Sequence, residues 1–196
     1  MNNRNSKLTI RIAVLFEIIL VISAVFSIIS KQWESLALLL LAIICIILPF
    51  IITNIANRKN IVLPSSFQLV WILFILLTLY FGEFKKFYIT FWWWDLFVHA
   101  IYGSYAVIIA LNLIQGIITK NKQTNKQRFT IFILIFAFSF SIALGTIWEI
   151  FEFAGDYLFK TTMIKGGLED TLSDLIVKVL SAFITSIICY YNESRN

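Results

Sequence analysis

Charged residues are sparse in this 196-residue chain, at 14%, and it has only seven glycines, two prolines, two cysteines and one histidine. A soluble domain carries about 25% charged residues. Too little polar side chain is therefore present to clothe a water-soluble surface, and a soluble enzyme or a nucleic-acid-binding domain is excluded. Cys45 and Cys189 both lie inside apolar runs with no CxxC neighbour. Zinc-knuckle and thioredoxin readings thus lack ligands, and both thiols are expected as small buried apolar side chains. Gly166-Gly167 reads as a turn, because no Walker pattern follows it. Ser104 is one residue past Gly103 and so off the His99 face, which argues against Ser/His/Asp catalysis. No low-complexity tract or strong internal repeat is present, and residues 1–196 read as a single transmembrane domain.

What the chain has in abundance is apolar side chain, 60% of all residues, with a mean hydropathy of +0.87. A helix needs roughly 20 residues to cross a bilayer core of about 30 Å. Six apolar segments meet or approach that length, at about 8–30, 35–56, 67–82, 93–118, 129–156 and 171–191. The fold class is therefore all-α, a polytopic membrane helical bundle of about six transmembrane helices. Segments three and five deviate from the ideal span, which tilt or partial re-entry accommodates. Glu17 interrupts the first run and no A-x-A pattern follows it, so the expectation is a retained first helix rather than a signal peptide.

The formal charge of +5 sits in short segments between the apolar runs, the pattern of membrane topology rather than of nucleic-acid binding. Arg4, Lys7, Arg11, Arg58, Lys59, Lys120, Lys122, Lys126, Arg128 and Arg195 fall on one side. Lys31, Lys85, Lys86, Lys160 and Lys165 fall on the other, and Lys178 lies inside the sixth segment. This two-to-one bias predicts that both termini are cytoplasmic. Trp33 and Trp92-Trp93-Trp94 then fall at the outer interface, and Tyr190 and Tyr191 at the inner one.

The intramembrane acids carry the functional argument. Asp95 and His99 are four apart, with Gly103 four further on. Glu149, Glu152 and Asp156 are spaced by three and four, with Gly145 four before the first. Asp170, Asp174 and Lys178 are again spaced by four. Each set shares one helix face, and topology places all of them toward the outer end of the bundle, in a polar half at about 90–191. Glu149 and Lys178 lie at similar depth and can pair there, while Asp174 is the alternative partner for Lys178. An ionised side chain at the bilayer centre costs on the order of 2.5–3.5 kcal/mol, so these carboxylates must face inward. Crowded together they cannot all remain ionised without cations. Either several are protonated or metal ions sit among them. Gly103 and Gly145 suit close helix packing.

Carboxylates with one histidine suit hard or borderline divalent ions, and bundle di-metal sites use related sets on facing helices. Asp95, His99, Glu149, Glu152 and Asp174 are the expected ligands. Asp156 or Asp170 would serve as general base or as a group supporting the ligands. A divalent ion so held can activate water against a lipid or lipid-linked ester at the outer leaflet. Two other functions use the same residues: a proton- or cation-coupled transporter, for which only Glu17 offers a polar step in the cytoplasmic half, and a non-catalytic scaffold or immunity protein whose polar network fixes helix packing.

The segments Trp94-Asp-Leu-Phe-Val-His99-Ala-Ile-Tyr-Gly103, Trp148-Glu-Ile-Phe-Glu152-Phe-Ala-Gly-Asp156 and Gly167-Leu-Glu-Asp-Thr-Leu-Ser-Asp174-Leu resemble the YjdF-like family of small bacterial integral membrane proteins. The resemblance covers roughly residues 90–185, through D-x-x-x-H, E-x-x-E and D-x-x-x-D elements in the same order. It implies a bacterial cytoplasmic-membrane protein and singles out the same polar residues, but it supplies no reaction. Ser181-Ala182 stands where a Gly-Ala pair would be expected, and Lys178 is unusual for the family.

Overall fold

The computed structural model describes residues 3–117, 125–159 and 167–195. Every regular element among the described residues is helical. Six helices are long and apolar enough to cross a membrane: Lys7–Ile29, Trp33–Arg58, Phe67–Phe84, Trp94–Ile114, Lys126–Ala154 and Leu168–Asn192. The chain divides into two compact units, Met1–Trp94 and Asp95–Asn196.

The first unit begins with a helical hairpin, α1 (Asn3–Ile29) and α2 (Trp33–Arg58). The turn between them places Lys31 at φ 55°, and the amides of Lys31 and Gln32 return to the carbonyls of Ile28 and Ser27. Ala13, Leu20 and Ala24 of α1 form a core with Leu39, Ala42 and Ile46 of α2 and with Ile72 of the next helix. Alanine at the seam lets the two backbones approach, as membrane helices require. Leu15, Ile18, Ile22 and Phe26 are exposed, which suits a lipid-facing surface.

Pro49 lies buried inside α2. Proline has no amide hydrogen, so the carbonyl of Cys45, four residues earlier, loses its helical donor. The Trp71 indole N–H supplies one at 3.1 Å. Backbone polar groups in a bilayer have no water to fall back on, so this contact replaces a bond that sequence removed. Helix α3 (Phe67–Ile75) then widens into a π-helical continuation, Leu76–Phe84, where the Trp94 indole donates to the carbonyl of Leu77 at 3.2 Å. Gly82 permits the close approach of the Tyr88 ring, since a Cβ there would lie 2.7 Å from its Cζ. The short helix α4 (Phe87–Thr90) was not anticipated from the hydrophobic pattern. Trp94 is buried and packs edge-on against Phe81 and Phe87. Trp33 and Trp92 are exposed. Cys45 and Cys189 are half-buried rather than fully enclosed.

The second unit holds the long helices α5 (Trp94–Ile117), α6 (Lys126–Phe159) and α7 (Leu168–Arg195). Gly167 precedes α7 at φ 64°, a left-handed conformation that glycine adopts without a Cβ clash. Val107 and Ala110 of α5, Ala137 of α6 and Ala182 of α7 form an apolar core, with Leu111, Phe138 and Phe140 packed around it. The polar residues gather nearer the starts of α5 and α7 and the end of α6.

Candidate functional site

Helical spacing explains how α5 presents its part of the site. Asp95 and His99 are one turn apart, and their side chains meet on one face. His99 Nε2 lies 3.2 Å from Asp95 Oδ1 and 3.3 Å from Asp174 Oδ2, which α7 supplies from across the helix interface. His99 and Asp174 are both buried, at 4% and 3% exposure. A single imidazole nitrogen carries one proton at most, so it serves one carboxylate well and the other poorly. Asp174 Oδ1 is buried with no hydrogen-bond partner among the described residues. Such an orphaned acceptor costs about 1–3 kcal/mol, and more when charged.

The spacing of these atoms has a second meaning. A cation holding its ligands at about 2.1 Å sets neighbouring ligand atoms about 3.0 Å apart in an octahedron and about 3.4 Å apart in a tetrahedron. The two His99–carboxylate separations fall in that interval. Asp95, His99 and Asp174 can offer one ligand atom each, all within 4.8 Å of one another, and so can His99, Glu149 and Glu152. The two sets share His99.

Lys178 sits in α7 ten residues from its first residue, about 15 Å along the helix axis. At 1% exposure it is among the most enclosed side chains described. Its ammonium donates to Glu149 Oε1 and lies 5.9 Å from the Tyr102 ring centroid, in cation–π range. Of the two partners anticipated for Lys178, the ion pair is therefore made with Glu149 and not with Asp174.

Both glycines singled out by spacing lie against this lysine. A Cβ on Gly145 would sit 3.1 Å from Lys178 Cδ, and one on Gly103 would sit 2.6 Å from the Lys178 carbonyl oxygen and also meet Ser181 Oγ. Ser141 Oγ donates to the Gly103 carbonyl at 2.8 Å, and Ser181 Oγ donates to the Lys178 carbonyl at 3.0 Å. Ser141 thus ties α6 to α5 beside the polar cluster, while Ser181 bonds within its own helix α7.

Asp95, His99, Glu149, Glu152, Asp174 and Lys178 are brought together. Asp170 is half-buried one turn before Asp174 and belongs to neither ligand set. Asp156 falls in α6, but its side chain lies outside the described residues. Glu17 is half-buried on α1 of the first unit. Tyr102, Ser141 and Ser181 were not anticipated at the site. Tyr102 follows His99 by three residues, a spacing that places it on a neighbouring strip of the same face.

A family model described as "Predicted membrane protein (DUF2238)" matches residues 12–195. A protein of Thermotoga maritima, described as uncharacterized, is 27% identical over 149 residues, covering 74% of this chain and 71% of its own length. No solved structure matches.

Proposed function

The chain belongs to the DUF2238 family of predicted membrane proteins, and we propose that it is an intramembrane divalent-cation protein whose bound ion acts on a lipid or lipid-linked ester. The observation that carries this reading is the unpartnered, buried Asp174 Oδ1, on the carboxylate whose other oxygen faces His99 at 3.3 Å. A cation coordinated by Asp95, His99 and Asp174 would satisfy the orphaned charge. It would also replace one shared proton by a bond to every member of the set. Glu149 and Glu152 stand behind it as further carboxylates.

In this reading the ion polarises the substrate and lowers the proton affinity of a bound water. Asp170, one turn from Asp174, would serve as general base in this reading, and Asp156 is its alternative by spacing on α6. The exposed apolar faces of the spans put the protein in contact with lipid, which makes an amphipathic substrate accessible from the bilayer. The basic-residue bias supports a bacterial cytoplasmic membrane, both termini inside and the site toward the outer leaflet. The YjdF-like resemblance falls within the stretch matched by DUF2238, and we read the two as one group.

The test is metal analysis of protein purified into lipid nanodiscs after loading with Mn²⁺ or Zn²⁺. Stoichiometric metal that disappears in His99→Ala and Asp174→Asn supports the reading. A metal-free wild type, with both variants misfolded, identifies the cluster as a packing network instead. Metal-dependent release of phosphate from lipid-linked phosphate esters in proteoliposomes then tests the reaction class.

A further inference from the structure

We propose that the Lys178 ammonium takes the place of a second metal ion, so that the centre holds one divalent cation, on Asp95, His99 and Asp174, rather than two. This deepens the metal-binding reading and rests on it.

Protein centres with two ions at about 3.5–4 Å need groups that reach both. Here the shared residue is His99, and a neutral imidazole has one free lone pair for one ion, because its other ring nitrogen carries the proton. Its Nε2 faces Asp95 and Asp174 at 3.2 and 3.3 Å, which assigns that lone pair to the first set. The second set is left with Glu149 and Glu152, and Glu149 already has a cation: its Oε1 accepts from Lys178 Nζ.

The surroundings are shaped for that lysine. Gly145 leaves room for its stem, Gly103 admits its backbone, and the Tyr102 ring lies within cation–π reach. Lys178 and Glu149 are both at most 5% exposed, so removing either leaves the other as an uncompensated buried charge. A tethered monovalent cation thus neutralises one carboxylate and repels a divalent ion from its position. The unpartnered oxygen, by contrast, lies on Asp174 and not on Glu149. The pattern of satisfaction separates the set already neutralised from the set still lacking a cation.

The experiment is Mn²⁺ titration of full-length protein in nanodiscs, read as ions bound per chain, for wild type, Lys178→Met and Glu149→Gln. Methionine keeps the length of the stem and removes the ammonium. Wild type should saturate at one Mn²⁺. Lys178→Met should take two, with the pair broadening the six-line Mn²⁺ spectrum by spin coupling. Glu149→Gln, whose side-chain oxygen still accepts from Lys178, should keep one ion with affinity within about threefold of wild type. Two ions in wild type, or one in a folded Lys178→Met, overturns the inference while leaving the metal reading intact. Loss of the ion in Glu149→Gln as complete as in Asp174→Asn makes Glu149 a ligand and overturns it even if Lys178→Met does not fold. No ion in wild type defeats both the inference and the reading beneath it.

Discussion

The two units solve the same problem, hydrogen bonding in a medium without water, by different means. In Met1–Trp94 the buried contacts join apolar side chains, and two tryptophan indoles donate to the carbonyls of Cys45 and Leu77. In Asp95–Asn196 the apolar core is small, and beside it lie a histidine, four carboxylates and a lysine. An indole bonded to a carbonyl restores what proline removed at Cys45, adds a donor at Leu77, and leaves nothing charged. A buried carboxylate cluster does the opposite: it creates a charge that protons or cations must neutralise. That contrast is why the proposed function is assigned to the second unit and not to the first.

The largest effect should come from breaking the charged pair. In the presence of chelator, Lys178→Ala should destabilise the protein by about 3–5 kcal/mol, because Glu149 is left as an unpaired buried charge. The double variant Lys178→Met/Glu149→Gln should recover most of that loss. Reversible unfolding in mixed micelles measures both, and a double variant no better than the single one would show that the pair acts through packing alone.

A smaller effect separates the two glycines. Gly103→Ala should cost about 1–3 kcal/mol by overpacking, since its new methyl meets the Lys178 carbonyl, which is backbone. Gly145→Ala should cost less, because its methyl meets the flexible stem of Lys178 at 3.1 Å. Equal costs would mean that the helices separate freely at both places.

The smallest effect belongs to the scaffold. Trp71→Phe removes the donor to the Cys45 carbonyl and should cost about 1 kcal/mol without changing metal content. Pro49→Ala restores an amide at the position that proline vacated, so adding it to Trp71→Phe should regain stability. If Pro49→Ala makes Trp71→Phe worse, the indole is not standing in for the missing amide.

These contrasts also mark what the amino-acid pattern reveals. The six spans are legible because apolar runs near 20 residues have few other uses. Asp95, His99, Glu149, Glu152 and Asp174 are legible because charge inside such runs is costly and because three- and four-residue spacing selects one face. The π-helical turn at Leu76–Phe84 leaves no comparable trace: hydrophobicity there is nearly continuous, so a change from four- to five-residue hydrogen bonding alters no visible period. The contact of the Trp94 indole with the Leu77 carbonyl is invisible in the sequence for a related reason. An indole suits an interface and a buried carbonyl equally well, and only the position of Leu77 decides between them. For Lys178, spacing along α7 favours Asp174 while depth favours Glu149, and the structure follows depth.

The central claim is that His99 and two carboxylates hold a cation, and pulsed electron paramagnetic resonance of Mn²⁺-loaded protein tests it most directly. The account predicts ¹⁴N modulation from one imidazole nitrogen in wild type, lost in His99→Gln. Bound Mn²⁺ without nitrogen coupling, or coupling that survives in His99→Gln, would contradict it.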